Sequence, residues 1–158
     1  MARKTDIYRV EDKGRDLGKA FLLTEMSAAD AEDWAMRALF ALMKGDVEIP
    51  EDFALLGMAG LAEMGLKAIS ALDWTVAKPL FEEMFQCVQI IPEPNPTKMH
   101  VVRPLVPDDI EEIATRLKLR LEVFKLHTDF LQAVVPSIFP GVKGAAAKPQ
   151  RTVRTSRG

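Results

Sequence analysis

The stretch Asp108-Asp-Ile-Glu-Glu-Ile-Ala-Thr-Arg-Leu-Lys-Leu-Arg-Leu-Glu-Val-Phe-Lys-Leu-His127-Thr-Asp-Phe-Leu-Gln-Ala-Val134 decides how the chain is read. Its first turn holds Asp108, Asp109, Glu111 and Glu112, and the basic residues Arg116, Lys118, Arg120 and Lys125 follow. That order complements a helix macrodipole, so a helix is expected over about 108–134, stopped by Pro136 and Pro140-Gly141. Two apolar stripes run along it. One is Ile110, Ile113, Ala114, Leu117, Leu121, Phe124 and Leu131, and the other, on the reverse side, is Leu119, Val123, Leu126 and Phe130. A helix apolar on both sides is either central to its own domain or shared with another molecule.

Three more helices are expected upstream. The first opens at Ser27, whose hydroxyl is placed to accept from the Asp30 backbone N–H, and closes at Lys44-Gly45. Asp30, Asp33, Arg37 and Lys44 form its polar stripe, opposite Ala31, Ala35, Leu39 and Leu42. Trp34 and Phe40 fall on the flanks, where each is either half-buried in the monomer or an anchor for a partner. The second helix starts at Pro50 and runs to about Leu72, with Gly57, Gly60 and Gly65 inside it marking close packing or a kink. The third follows Trp74-Thr75 through Phe81, Met84, Phe85 and Val88, and Pro79 fits it only in the first turn, where no N–H is needed.

The β signal is small. Ile7, Tyr8 and Val10, the turn-rich Gly14-Arg-Asp-Leu-Gly18, and Ala20-Phe-Leu-Leu-Thr24 read as an N-terminal hairpin or arm lying on the helices. Gln89-Ile90-Ile91 and Met99-His100-Val101-Val102 flank a proline-rich loop and read as a second small hairpin. The expectation is a mainly α fold: a β arm over 1–26, a compact helical domain over 27–139, and a basic disordered tail over 140–158. That tail carries Lys143, Lys148, Arg151, Arg154 and Arg157 with no acidic residue.

Composition narrows the function classes. The chain has 158 residues, 48% of them apolar, and a net charge of −2, which suits one cored domain and not a dedicated nucleic-acid binder. Five tail charges without aromatics give only weak, salt-sensitive contact with nucleic acid. The longest uncharged apolar run, Phe53 to Ala62, is half of the ~20 residues that span a bilayer. The polar N-terminus lacks a signal peptide, so a cytosolic protein is expected. Catalytic candidates are few. The histidines are His100 and His127, neither in a metal-ligand spacing, and Cys87 sits among apolar residues. No phosphate-binding glycine loop is present. The clusters Asp30/Glu32/Asp33, Glu82/Glu83 and Asp108/Asp109/Glu111/Glu112 are accounted for as helix starts and solvated faces. The reading is of no enzymatic site, no metal and no cofactor.

Four stretches taken together carry a resemblance. They are Phe21-Leu-Leu-Thr-Glu-Met-Ser-Ala-Ala-Asp-Ala-Glu-Asp-Trp34-Ala-Met-Arg-Ala-Leu, Glu48-Ile-Pro50-Glu-Asp, Glu83-Met-Phe-Gln-Cys-Val-Gln-Ile, and Arg103 through His127. Over roughly residues 10 to 130 the chain resembles the tail assembly chaperones of long-tailed bacteriophages and prophages, the long final stretch being the more specific part. The resemblance implies a non-enzymatic assembly factor in the bacterial host cytoplasm. Such a factor binds the tape-measure protein, and often the tail-tube protein, before the tube polymerises, and is absent from the finished virion. Some such families also make a longer product by ribosomal frameshifting. The family has no catalytic motif, so no site residue carries over. The candidates for partner binding come from the stripes instead: Leu119, Val123, Leu126 and Phe130 first, Trp34 and Phe40 next, with self-association as a further use of the same face. Two rival readings stand beside this one: a virion structural or head–tail joining protein, and a small nucleic-acid-binding regulator using the basic tail.

Overall fold

The computed structural model describes residues 2–45, 66–97 and 101–129, and its centre is a strand of alternating character. In β2 (Ala20–Thr24), Phe21 and Leu23 point the same way and are buried. On one side β2 pairs antiparallel with β1 (Thr5–Arg9), setting Tyr8 opposite Phe21. On the other it pairs antiparallel with β3 (Val88–Ile91), setting Ile90 opposite Phe21 and Val88 opposite Leu23. The two-residue β4 (Arg103–Pro104) completes the order β1-β2-β3-β4. α3 (Ile113–Thr128) lies on β1 and β2, and α1 (Ala28–Lys44) and α2 (Trp74–Phe85) join the same core, α2 packing on both α1 and α3. One core results, in which Trp34, Leu39, Leu80, Met84, Leu119 and Val123 pack with Phe21, Leu23, Val88 and Ile90.

The mainly α expectation is thereby overturned: among the described residues, three α-helices and a four-stranded antiparallel sheet make an α+β fold. Sequence presents the N-terminal strands and the Gln89 region as two separate small hairpins. The β2–β3 pairing joins them into one sheet. Alternation shows that a strand has a buried face, but not which distant strand it pairs with. The second hairpin also shifts, since Gln89 and Ile90 pair with Pro104 and Arg103 rather than with the expected Met99–Val102 run.

Helix boundaries move for local reasons. Ser27 caps α1 as read, its Oγ accepting from Asp30 N–H at 3.1 Å, and the Gly45 N–H closes the helix on the Ala41 and Leu42 carbonyls. Asp73 caps α2 by accepting from Thr75 N–H at 2.9 Å, which starts that helix at Trp74 and leaves Pro79 in its second turn. A proline there removes a helix hydrogen bond at a cost of about 3 kcal/mol, offset by burial of Ala77, Leu80 and Met84 on the same helix. α2 ends at Phe85, so Val88 belongs to β3 rather than to the helix. Pro107–Asp109 is a 3-10 turn and Ile110 is extended, which delays α3 to Ile113. Leu66–Ala71 is a 3-10 helix. The rest of the expected second helix with Gly57, Gly60 and Gly65, the residues His100, Phe130 and Leu131, and the tail over 140–158 lie outside the described residues.

α3 has no side-chain cap of its own at Glu112. The two residues just before it are held from the β1–β2 turn instead. Asp16, 1% exposed, accepts from Glu111 N–H at 3.0 Å and Glu112 N–H at 2.9 Å. Lys19 Nζ donates to the same carboxylate at 2.8 Å and to the Asp109 carbonyl at 2.9 Å. Burial by itself would raise the Asp16 pKa. The bond from Lys19, the Glu111 amide, the Thr115 hydroxyl and the Glu112 amide outweigh it and hold the carboxyl far below the usual range. A second tie is His127, buried on α3, whose Nε2 accepts from Met26 N–H at 2.8 Å while Nδ1 lies 2.8 Å from the Val123 carbonyl.

Asp16→Ala leaves two amides and an ammonium without their acceptor, and is expected to cost about 2–4 kcal/mol of unfolding free energy. Because the folded-state pKa is depressed, the Asp16 contribution is present above the ordinary carboxylate pKa of about 4 and is lost as pH falls below it. Thermal melts from about pH 7 down to about pH 2, which take in the upper part of this loss, should show the advantage of the wild type over Asp16→Ala shrinking toward the acid end.

Candidate interaction surface

The two stripes of α3 have opposite fates. Leu119, Val123 and Leu126 are buried inside the monomer, which is the burial alternative the sequence left open. They touch the sheet and α1 side of the core and are not accessible to a partner in this fold. Trp34 is likewise internal, 2% exposed, its indole N–H donating to the Leu80 carbonyl at 3.0 Å. Phe40 is the sequence candidate that stays open, more than half exposed on α1.

The other stripe faces outward. Ile113 is 77% exposed, Leu117 55% and Leu121 42%. Four-residue spacing sets the three one above another along about 12 Å of helix. Ile110 and Phe124, read as members of this stripe, are buried at its two ends. Sequence periodicity identified the stripe but not its exposure, because two opposed apolar faces look alike until the sheet is placed against one of them.

Beside the stripe lies an aromatic–cationic seam that sequence reading missed. α2 presents Trp74, Phe81 and Phe85 along one face, with the Trp74 and Phe81 ring centroids 6.3 Å apart. From α3, the Arg116 guanidinium sits 4.1 Å from the Phe85 centroid and that of Arg120 4.4 Å from Phe81. These are cation–π distances, and they join α2 to α3 without a carboxylate. Among the described residues no acidic side chain pairs with either arginine, and Arg120 Nε is buried with no hydrogen-bond partner. Burial, and then the Arg116 charge, pull the Arg120 guanidinium below its ordinary pKa. Trp74 is 58% exposed at the end of the seam. The signal available in sequence was the i,i+4 pair Arg116/Arg120 with the i,i+4 pair Phe81/Phe85, but nothing local says that these two pairs meet.

On its other border the stripe is electrically balanced. Lys118 pairs with Asp12 of the β1–β2 turn, and Lys125 with Glu122 at 3.2 Å. The seam side also opens into a groove of about 630 Å³ lined by Phe85, Val88, Val106, Pro107, Ile110 and Arg116. A second cleft, of about 500 Å³, lies between the start of α1 and the end of α2. Its charges answer one another: Arg37 bonds Asp33 at 2.8 Å and Glu83 at 2.7 Å. Cys87 lines that cleft, and burial pushes its thiol up to about 11, so it is a protonated thiol at neutral pH. Among the described residues no three His, Cys, Asp or Glu side chains converge as metal ligands, and no described helix is long and apolar enough to cross a membrane.

No protein-family model matches the chain, and neither a curated protein nor a solved structure matches it significantly.

The two stripes make opposite forecasts for the same substitution. Val123→Glu places an unpaired charge in the core and is expected to abolish cooperative folding. Leu117→Glu sits in the open stripe and should shift stability by no more than about 1 kcal/mol. Circular dichroism melts of the two variants check both.

Proposed function

We propose that this protein is a non-enzymatic assembly chaperone for a long-tailed bacteriophage or prophage, working in the host cytoplasm. It covers apolar helical segments of the tape-measure protein, with the tail-tube protein as a second client, and is left out of the mature virion. The observation that carries the reading is the outward stripe Ile113, Leu117 and Leu121, set beside exposed Trp74 on the same helix pair. Singly scattered apolar side chains are ordinary on a protein surface, whereas an ordered stripe of them points to a partner. The resemblance of residues 10 to 130 to tail assembly chaperones supplies the identity of that partner. The client face moves from the Leu119 stripe to the Leu117 stripe, because the former fills the core.

Co-expression with a tape-measure protein of a long-tailed phage tests the proposal. A soluble complex should form with the wild type, and Leu117→Glu should abolish it while keeping a wild-type melt. Mass spectrometry of purified virions should find the tape-measure protein without this chain. Stoichiometric retention in virions would favour the structural or head–tail joining role instead. A mobility shift on nucleic acid that vanishes when the chain is cut after Phe139 would favour the regulator.

A further inference from the structure

We propose that the α2–α3 face takes an amphipathic helix whose apolar stripe is edged by carboxylates on one flank only, the flank lying over Arg116 and Arg120. The inference rests on the client reading above and adds the chemistry of the client segment. The apolar part of the match is the stripe Ile113, Leu117 and Leu121. A partner helix presenting leucines or similar residues at i, i+3, i+4 and i+7 buries itself on such a row. The polar part is the charge pattern at the two borders. Lys118 and Lys125 already hold Asp12 and Glu122, so that border offers no net positive charge. On the opposite border two guanidiniums lie on Phe85 and Phe81 with no carboxylate on either, among the described residues. Arginine over an aromatic ring keeps in-plane N–H groups on its terminal nitrogens, and a carboxylate meets them as a bidentate pair; with its Nε buried, Arg120 would be met end-on through the two Nη atoms. Two such arginines one helical turn apart read two acidic residues spaced likewise on the partner.

The same pattern argues against the chain's own basic tail as the occupant. Residues 141–158 hold five Lys or Arg and no acidic residue, which sets like charge against Arg116 and Arg120. Two rivals remain, a second copy of the chain and the chain's own residues 46–65, whose sequence is apolar with Asp46, Glu48, Glu51, Asp52 and Glu63; both enter the test as outcomes, the second as a face that no added peptide reaches.

The full chain reports on this face through its own fluorescence. It has two tryptophans; Trp34 is buried, and Trp74 stands 58% exposed at the end of the seam. The probe is a synthetic helical peptide of about 18 residues, or five turns, with a leucine stripe and glutamates along one flank. Two companion peptides carry lysine or glutamine in place of the glutamates. The glutamate peptide should shift Trp74 emission to the blue in a saturable way. It should bind at least about tenfold tighter than the lysine peptide and weaken as salt is raised. Arg116→Glu should reverse the preference between the glutamate and lysine peptides, and Leu117→Glu should weaken both. The comparison among peptides on the wild type needs no variant, so it stands whether or not Arg116→Glu folds. Equal binding of all three peptides, or no shift at up to about 1 mM peptide, would overturn the inference. So would a shift that survives Trp74→Phe, or a dimer seen by light scattering that Leu117→Glu dissolves. Loss of peptide selectivity with tape-measure binding intact would overturn this inference and spare the client reading. Peptide selectivity without tape-measure binding would do the reverse.

Discussion

A buried carboxylate from the first turn of the chain sets where the last described helix begins. The N-terminus of α3 has amide groups that need acceptors, and Glu112 at its cap supplies none from its side chain. Asp16, nearly a hundred residues upstream in the β1–β2 turn, accepts from the amides of Glu111 and Glu112 and so fixes the chain where it enters the helix. The turn is shaped to reach them. Gly18 takes φ +83° and Gly14 φ +154°, backbone conformations that side chains rarely adopt. Arg15 adds a bond to the Glu111 carbonyl at 2.7 Å and an ion pair to Glu112 at 3.0 Å. Arg103 meanwhile grips Asp109 through two bonds of 2.7 and 2.6 Å, fixing the 3-10 turn that precedes the helix. Hairpin, turn and helix start are therefore one hydrogen-bonded unit.

That unit decides which side of α3 becomes core. With its start held by the hairpin, α3 lies against β1 and β2 with Leu119, Val123 and Leu126 inward. His127, one turn beyond Val123, reaches back to the Met26 amide and keeps the link between β2 and α1 at the same depth. Rotating the helix by half a turn would bury Leu117 and Leu121 instead, but would break the Thr115 and His127 contacts and lift Lys118 away from Asp12. The stripe that ends up outward is the longer of the two in sequence, so hydrophobicity alone would not select the Leu119 side. The polar contacts at the two ends of the helix make the choice.

This is also the measure of what sequence can show. Signals contained in one turn of chain were legible: the Ser27 cap, the Gly45 stop, the N-terminal hairpin and the double apolar character of α3. Pairings between distant residues were not. Nothing around Asp16 distinguishes it from an ordinary turn aspartate, and nothing around Phe21 announces Ile90 as its neighbour. The candidate site fell between these cases. Sequence shows Ile113, Leu117 and Leu121 as a stripe yet puts the reverse stripe first as the partner face, because helical period reports that faces exist and is silent about which one the sheet will cover. Arg116 and Arg120 were read only as complements to the helix dipole, since their aromatic partners come from another helix.

The seam between α2 and α3 has a physical consequence for how the open face behaves. Helices can be joined by salt bridges, which satisfy both charges and leave nothing for a partner. They can be joined by aliphatic packing, which leaves no charge at all. Cation–π contacts do neither: Phe81 and Phe85 hold Arg120 and Arg116 in place by the ring quadrupole while the guanidinium edges keep their donors. The side chains are thus already ordered, so little rotamer entropy remains to be lost when a carboxylate arrives. The apolar stripe beside them supplies contact area with no directional demand, and the arginines supply the direction. A surface built this way would tolerate variation in the apolar residues of a partner helix while constraining the side from which acidic residues approach.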